Sequence, residues 1–319
     1  MFGKIALKLG IGLMACAPLM AAAQAQHATI VVPAAAGGGA DVLARVVAAK
    51  LQPIIDKTIV VENRPGANSA IGISAVSRAK PDGTTMLLVD RTTTVVNPLR
   101  LSNLPYDPDG LQPVSDIAKL DFLFVVGSDA PFKTWEEMVE YARSNPGKVA
   151  VGNSGVGSGA HLSTELLGRH LGIEFVNVPY KGMSPALQDV MGGVIDALIA
   201  GPTVVLPQMD SGKIRVLTQG SDERSAQFPD VPTLREVGIA EPLLLPVPFT
   251  VFVPRGTPAE TVDSLNAALR QVTADEEVLE RFEAMGLVPV ANSPADVQQD
   301  SVELKERLDI VIQETGLRE

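Results

Sequence analysis

The chain has 319 residues, 46% of them apolar, a single cysteine and a formal net charge of −11 at pH 7. That acidity argues against nucleic acid or anionic membranes as partners, and one cysteine rules out a disulfide framework, so a sizeable apolar core must hold the fold. A small anion is still an acceptable ligand, because backbone amides can supply positive potential locally.

At the start of the chain, Lys4 and Lys8 precede the apolar run 9–20, and Ala23–Gln24–Ala25 forms a small-x-small cleavage site. This pattern predicts a signal peptide over residues 1–25 and a periplasmic destination, the apolar run being too short to span a bilayer. Leu13–Met14–Ala15–Cys16 also resembles a lipoprotein box, which would leave Cys16 acylated. The apolar residues run on to Ala25, which favours ordinary cleavage near Gln26 and a mature chain without cysteine.

Next, the apolar run Ile30–Val31–Val32 leads through Pro33 and three alanines into Gly37, Gly38 and Gly39, with Asp41 where a first-turn acid belongs. Val42, Leu43, Val46, Val47 and Leu51 then recur at helical spacing. A strand, a glycine turn and a helix in that order make an anion cradle, since free amides and the positive end of the helix dipole face whatever sits above the strand. The same arrangement is also met as a plain tight turn.

Beyond the cradle, strands are expected at 58–62, 86–89, 122–126, 149–152, 175–178, 197–200 and 215–218. Helices are expected at 69–78, 134–144, 160–171, 184–191 and 204–211. Thr134 is a credible N-cap with Glu137 three residues on. Such alternation predicts an α/β fold of mainly parallel sheets flanked by helices, with ligands at the carboxyl ends of the strands. After Ala240 one more strand, 249–253, is followed by three helical stretches at 258–274, 276–285 and 294–314. A sheet begun early and covered by helices that arrive last is a discontinuous domain, so one lobe is expected over 26–125 plus 249–319 and the other over 126–248.

The second lobe carries its own glycine loop, Gly152–Asn153–Ser154–Gly155–Val156–Gly157–Ser158–Gly159–Ala160–His161. Two cradles in two lobes suggest one cleft. Gly155-x-Gly157-x-x-Ala160 also fits a relaxed dinucleotide fingerprint, but the acid that should follow, Glu174, begins the next strand instead of ending it. No Gly-x-Ser-x-Gly elbow is centred on Ser154 or Ser158, and the histidines lack metal-ligand spacing, so neither a catalytic residue nor a cofactor or metal is expected. His161 reads as a capping or packing residue that could touch ligand. A secreted enzyme working in the same cleft is the alternative, and it would show turnover where a receptor shows only reversible binding.

Several segments together resemble the Bug family, the extracytoplasmic solute receptors of tripartite tricarboxylate transporters. They are Val32–Pro33–Ala34–Ala35–Ala36–Gly37–Gly38–Gly39–Ala40–Asp41, Val61–Glu62–Asn63–Arg64–Pro65–Gly66–Ala67, Lys80–Pro81–Asp82–Gly83, Leu104–Pro105–Tyr106–Asp107–Pro108, Val178–Pro179–Tyr180–Lys181–Gly182 and Asp230–Val231–Pro232–Thr233. The resemblance implies a two-lobed Venus-flytrap periplasmic binding protein of type II-like architecture. Such a receptor is monomeric and closes on a small carboxylate, which it delivers to membrane transporter subunits or a sensor. Carried onto this chain, carboxylate binding falls to Ala36, Gly37, Gly38, Gly39, Asn68 and Ser69 of the first lobe. In the second lobe it falls to Ser154, Gly157, Ser158, Gly159, Ala160, His161, Tyr180, Lys181 and Gly182. Gly66 and Gly83 are expected in turns, and Arg64 beside a nearby acid.

The chain departs from the family pattern where it bears on specificity. Ala34 and Ala35 replace an aromatic and a proline, Ala200–Gly201 stand where an Asp or Asn is common, and Pro248–Phe249 replace a Trp-Tyr pair. Asp90 and Arg91, followed by Thr92, replace small residues at the end of a strand. The expectation is that Arg91 pairs with a second ligand carboxylate or that Asp90 meets a ligand amino group, the alternative being that the two side chains pair with each other on the surface.

Overall fold

The computed structural model describes residues 27–318. The expected signal peptide, with Cys16, lies outside them. In chain order the elements are β1 (His27–Val32), α1 (Gly39–Ile55), β2 (Thr58–Asn63), α2 (Ala70–Ser77), β3 (Thr85–Asp90), α3 (Arg91–Arg100) and β4 (Leu111–Leu120). There follow β5 (Leu123–Gly127), α4 (Trp135–Ser144), β6 (Val149–Asn153), α5 (Gly159–Leu171), β7 (Phe175–Pro179), α6 (Met183–Met191) and β8 (Ala197–Ala200). The chain ends with α7 (Pro202–Val205), a 3₁₀ turn (Leu206–Ser211), β9 (Ile214–Gln219), β10 (Val247–Pro254), α8 (Ala259–Thr273), α9 (Glu276–Ala284), β11 (Val288–Pro289) and α10 (Pro294–Glu314).

The strands form two sheets, one ordered β11-β4-β10-β3-β1-β2 and the other β7-β6-β8-β5-β9, called here sheet A and sheet B. Both are mixed. Pairing is parallel where a helix returns the chain, at β1/β2, β1/β3, β6/β7 and β6/β8. It is antiparallel where the chain passes between sheets, since β10 runs against β3 and β4, and β5 against β8 and β9. The helix-strand alternation thus reveals the parallel half of each sheet, while the strands that cross over have no helix to announce their direction.

Period-2 alternation sets both faces of sheet B. Phe124 and Val126 face the cluster built by α4 and α5, whereas Leu123 and Val125 face α6. Phe124 meets Trp135 edge-to-face with ring centroids 5.3 Å apart. Sheet A is covered by α1, α8 and α9 through Leu43, Val47, Leu51, Leu269 and Phe282, and on its other face by Ile73 and Val76 of α2. Val95, Val96 and Leu99 of α3, together with Leu308, Val311 and Ile312 of α10, complete the sheet B core although α3 leaves directly from a sheet A strand. Two helices therefore tie the sheets together.

Three elements differ from the expectation. Helix α3 begins at the last residue of β3, with Asp90 as N-cap to Thr92 N at 2.8 Å; the β-branched run Thr92–Thr94 and Pro98 conceal it in the sequence. β4 was not expected at all, because Pro113, Ser115 and Asp116 interrupt its apolar pattern and two register shifts against β10 break period 2. The helix expected at 204–211 is four residues of α7 and then a 3₁₀ turn, since Pro207 cannot donate to an α-helical ladder.

Candidate functional site

Residues from the first turns of four helices line a single cavity of about 310 Å³ between the sheets. They are Thr92 and Thr93 of α3, Ser158 and Gly159 at the start of α5, Met183 of α6, and Thr203 and Val204 of α7. Asn68 and Asp90 complete the sheet A side, Ser154, Gly157 and Gly201 the sheet B side, and Leu120, Phe122 and Val247 the junction. Asp90, Ser154 and Gly201 stand at or just beyond the carboxyl ends of β3, β6 and β8, where ligands of open α/β sheets bind. The amino ends and dipoles of α5 and α6 make the cavity attractive to an anion, whereas that of α3 is already capped by the Asp90 carboxylate; no lysine or arginine is among the lining residues.

A larger crevice of about 540 Å³ opens behind the junction, lined by Lys119, Asp121 and Leu123. These alternate along the extended chain with Leu120 and Phe122, so the two spaces lie on opposite faces of the β4–β5 connection. Neither glycine loop lines this rear crevice.

The sheet B glycine loop is fastened at both ends by one chain of polar contacts. Gly155 N donates to Asn153 Oδ1 at 3.0 Å, Asn153 Nδ2 to Asn177 Oδ1 at 3.0 Å, and Asn177 Nδ2 to Glu165 Oε1 at 2.6 Å. Glu165 stands 3.6 Å from His161 Nε2, and His161 Nδ1 accepts from Gly157 N at 2.9 Å. An imidazole that accepts at Nδ1 and faces a carboxylate at Nε2 is the neutral Nε2–H tautomer. Hydrogen bonding from His161, aided by Asn177, holds the Glu165 carboxyl below its usual range against the cost of burial. Ser158 caps α5, its Oγ accepting from His161 N at 3.3 Å.

Arg100, at the end of α3, donates from Nη1 to Val156 O in this loop at 3.1 Å. A Cβ on Gly157, whose φ is +77°, would lie 2.4 Å from that Nη1. The loop is thus shaped by a residue that belongs to the sheet A side.

The sheet A glycine loop is a weaker cradle than its sequence suggests. Gly37 N donates to Asp41 Oδ2 at 2.8 Å and Gly38 N to Ala35 O at 3.2 Å, so two of its three amides are already engaged. Ala36, Gly37, Gly38 and Gly39 are exposed and do not line the cavity. From this side the cavity is reached instead by Asn68, which lies in a run of three non-glycine residues with positive φ, Ala67 at 48°, Asn68 at 46° and Ser69 at 69°. Such a run is costly and persists only where surrounding bonds enforce it. Here Asn97 supplies them, accepting from Asn68 Nδ2 at 2.7 Å and donating to Asn68 O at 2.9 Å.

Of the residues expected from sequence, Asn68, Thr92, Ser154, Gly157, Ser158 and Gly159 line one cavity. Ser69 occupies the N-cap position of α2 behind Asn68 without a side-chain cap bond, Ala160 is buried in the core, and His161 acts through the contacts just described. Tyr180 borders the loop through its backbone, donating N–H to Asn153 O at 2.9 Å. Its hydroxyl donates to Asp189 at 2.6 Å, and burial, reinforced by Asp189, pushes it up to about 12. Lys181 is exposed and Gly182 caps α6 beside Met183, so both flank the cavity without lining it. Gly66 and Gly83 have positive φ, Gly83 in the bend before β3 and Gly66 just ahead of the turn at 67–69, and Arg64 pairs with Glu62 at 2.8 Å, as expected. Glu174 lies beside Gly147 at the amino end of β6, the wrong end for a dinucleotide ribose.

Arg91, expected to meet a ligand carboxylate, does not line the cavity. Its guanidinium is buried away from the cavity, within 3.2 Å of Asp116, 3.4 Å of Asp300 and 3.1 Å of Ser301 Oγ, and is therefore a tie between β4, α3 and α10. Asp90 goes the other way and lines the cavity. Burial pushes its carboxyl up to about 6, against the opposing effects of hydrogen bonding to Thr92 and of the Arg91 charge. Thr93, Leu120, Phe122, Met183, Thr203, Val204 and Val247 were not anticipated, being ordinary residues whose only signal is their position at helix starts and strand ends.

Arg45 hydrogen-bonds Asp41 and, with Gly37 N and Asn63, holds its carboxyl at about 2 against an ordinary 3.8. A lowered native value contributes stability that is complete above the ordinary value and lost as pH falls through the native one. Wild-type stability is expected to decline between about pH 4 and pH 2 in part through this group. Asp41→Asn should be less stable at pH 6 and flatter over that window in urea melts.

The profile described as "Tripartite tricarboxylate transporter family receptor" matches residues 43–317. The protein BugT of Bordetella pertussis is 34% identical over 291 residues, covering 91% of this chain and 89% of BugT. The periplasmic binding protein BugD superimposes with a TM-score of 0.75 at 30% identity, over 91% of this chain and 98% of that one. Rpa4515 of R. palustris, solved with adipate, superimposes with a TM-score of 0.79 at 32% identity, over 91% of this chain and 97% of that one.

Proposed function

Because the chain belongs to the tripartite tricarboxylate transporter receptor family, whose members are periplasmic substrate-binding receptors and not enzymes, we propose that it binds a small carboxylate in the cavity between its sheets and delivers it to a transporter of the tripartite type. One observation carries this reading: the amino ends of α5 and α6 meet at a cavity of about 310 Å³ with no basic side chain among its lining residues. Such a site recognises a carboxylate by amides and helix dipoles. The adipate held by Rpa4515 points to the same ligand class.

The working unit is a monomer of two lobes, 26–125 with 249–319 and 126–248, pivoting where the chain crosses near Leu120–Leu123 and Val247. Ligand binding shifts the population toward the closed form. Ser154, Gly157, Ser158 and Gly159 bind from the second lobe and Asn68 and Thr92 from the first, with the Ala36–Gly39, Ser69 and Tyr180–Gly182 segments framing the mouth. The leader over residues 1–25 takes the protein to the periplasm.

The test is thermal unfolding of protein stripped of solute by denaturation and refolding, against mono-, di- and tricarboxylates. A ligand at 100 times its Kd that binds only the native state adds about 2.7 kcal/mol, a shift of several degrees. A shift with one carboxylate class supports the reading, and none with any carboxylate overturns it.

A further inference from the structure

The cavity combines an anion-seeking wall with an acid. Asp90 is the one ionisable side chain among its lining residues; Asn68, Thr92, Thr93, Ser154, Ser158 and Thr203 are neutral. Arg91 would be the natural counter-charge, but its guanidinium is turned to Asp116 and Asp300. The Thr92 hydroxyl, on the same wall, is buried without a hydrogen-bond partner. On the opposite wall stand Ser158 and Gly159 at the start of α5, where the dipole attracts negative charge.

These two walls suit different ends of one molecule. A dicarboxylate that placed one group at α5 would set its other against Asp90, with no cation between them. Like charges in a confined apolar setting repel strongly, so such a ligand is disfavoured unless one group is protonated. A ligand with an ammonium group at its other end reverses the sign of that contact.

Resting on the carboxylate reading above, we propose that the ligand is an amino-carboxylate whose carboxylate lies at the α5 glycine loop and whose ammonium is received by Asp90. Asp90 is then the residue that selects against plain diacids. It also caps α3, so any replacement has to keep an oxygen there.

Calorimetry on refolded, solute-free protein at pH 7.5 tests this with matched pairs: glutamate against glutarate, 6-aminohexanoate against adipate, and a series of α- to ω-amino acids against diacids of equal chain length. At least one amino-carboxylate is expected to bind tenfold or more tightly than its diacid partner. Asp90→Asn should weaken it at least tenfold and narrow or invert the preference. Asp90→Ser, which retains a capping oxygen, should do the same, and both variants should melt cooperatively. Equal or tighter binding of the diacids to wild type overturns the inference, as does amino-carboxylate affinity within twofold of wild type in both variants. If no amino-carboxylate binds, the inference fails; the carboxylate reading survives where any ammonium-free acid binds and fails too where none does.

Discussion

Arg91→Ala is expected to cost about 3–5 kcal/mol of stability, the ordinary penalty for removing one partner of a buried ion pair. Arg91 and Asp116 expose only 6% and 3% of their side chains, and their 3.2 Å contact is embedded in further bonds. Asn292 Nδ2 donates to Asp116 at 3.0 Å and Thr250 Oγ1 donates to its other oxygen. Without the guanidinium, Asp116 keeps these neutral donors but loses the cation that offsets its desolvation. Asp300→Ala is the control, because its 51% exposed side chain makes a pair worth about 1 kcal/mol or less. Urea unfolding measures both. The same variants separate two roles for Arg91: as a tie it changes stability and leaves ligand Kd within about threefold where the protein remains folded, whereas a direct ligand contact would change Kd first.

Gly157→Val is expected to weaken ligand binding by about a hundredfold, equivalent to about 2.8 kcal/mol. Its φ of +77° is poorly accessible to a β-branched residue, and a Cβ there would lie 2.4 Å from Arg100 Nη1, 2.7 Å from Cδ and 2.9 Å from Cζ. Arg100 cannot easily yield, as it is held by Val156 O and Leu317 O at 3.1 Å each. The loop must therefore shift, breaking the Gly157 N to His161 Nδ1 bond and displacing the start of α5 from the cavity wall. Gly172→Val is the matching control. It sits at φ +63° at the other end of α5 with no atom within 4 Å of its Cβ position, so it carries the backbone strain alone. Calorimetric Kd near wild type for Gly172→Val and a large loss for Gly157→Val would assign the effect to the loop. Equal losses would assign it to general destabilisation of α5.

Much of this architecture was legible in sequence because its signals are local. Thr134 with Glu137 marks the start of α4, and Gly172 closes α5 in the left-handed conformation, both as residue type alone suggests. β4 was not legible, since its buried Ser115 and Asp116 make sense only beside Asn292 and Arg91, which are distant in sequence. The site divides in the same way. Glycine loops at strand ends can be read directly, but whether their amides are free depends on who accepts from them. Asp41 consumes one in the sheet A loop and His161 another in the sheet B loop. The Asp90–Arg91 pair shows how far one residue matters: two adjacent charges leave β3 on opposite sides, and only the tertiary structure tells which faces the cavity.

β10 lies between β3 and β4 in sheet A, yet it is the last long strand of the chain, at Val247–Pro254. All five strands of sheet B have been made by Gln219. A chain emerging from its amino end therefore holds a full set of strands for sheet B while β3 shows an open edge bearing Met86, Leu87, Leu88 and Val89, each buried in the finished protein. Unpaired apolar edges invite pairing between molecules. The hazardous interval in the birth of this protein is thus late, between residues 219 and 247, and a chain truncated there should aggregate through sheet A.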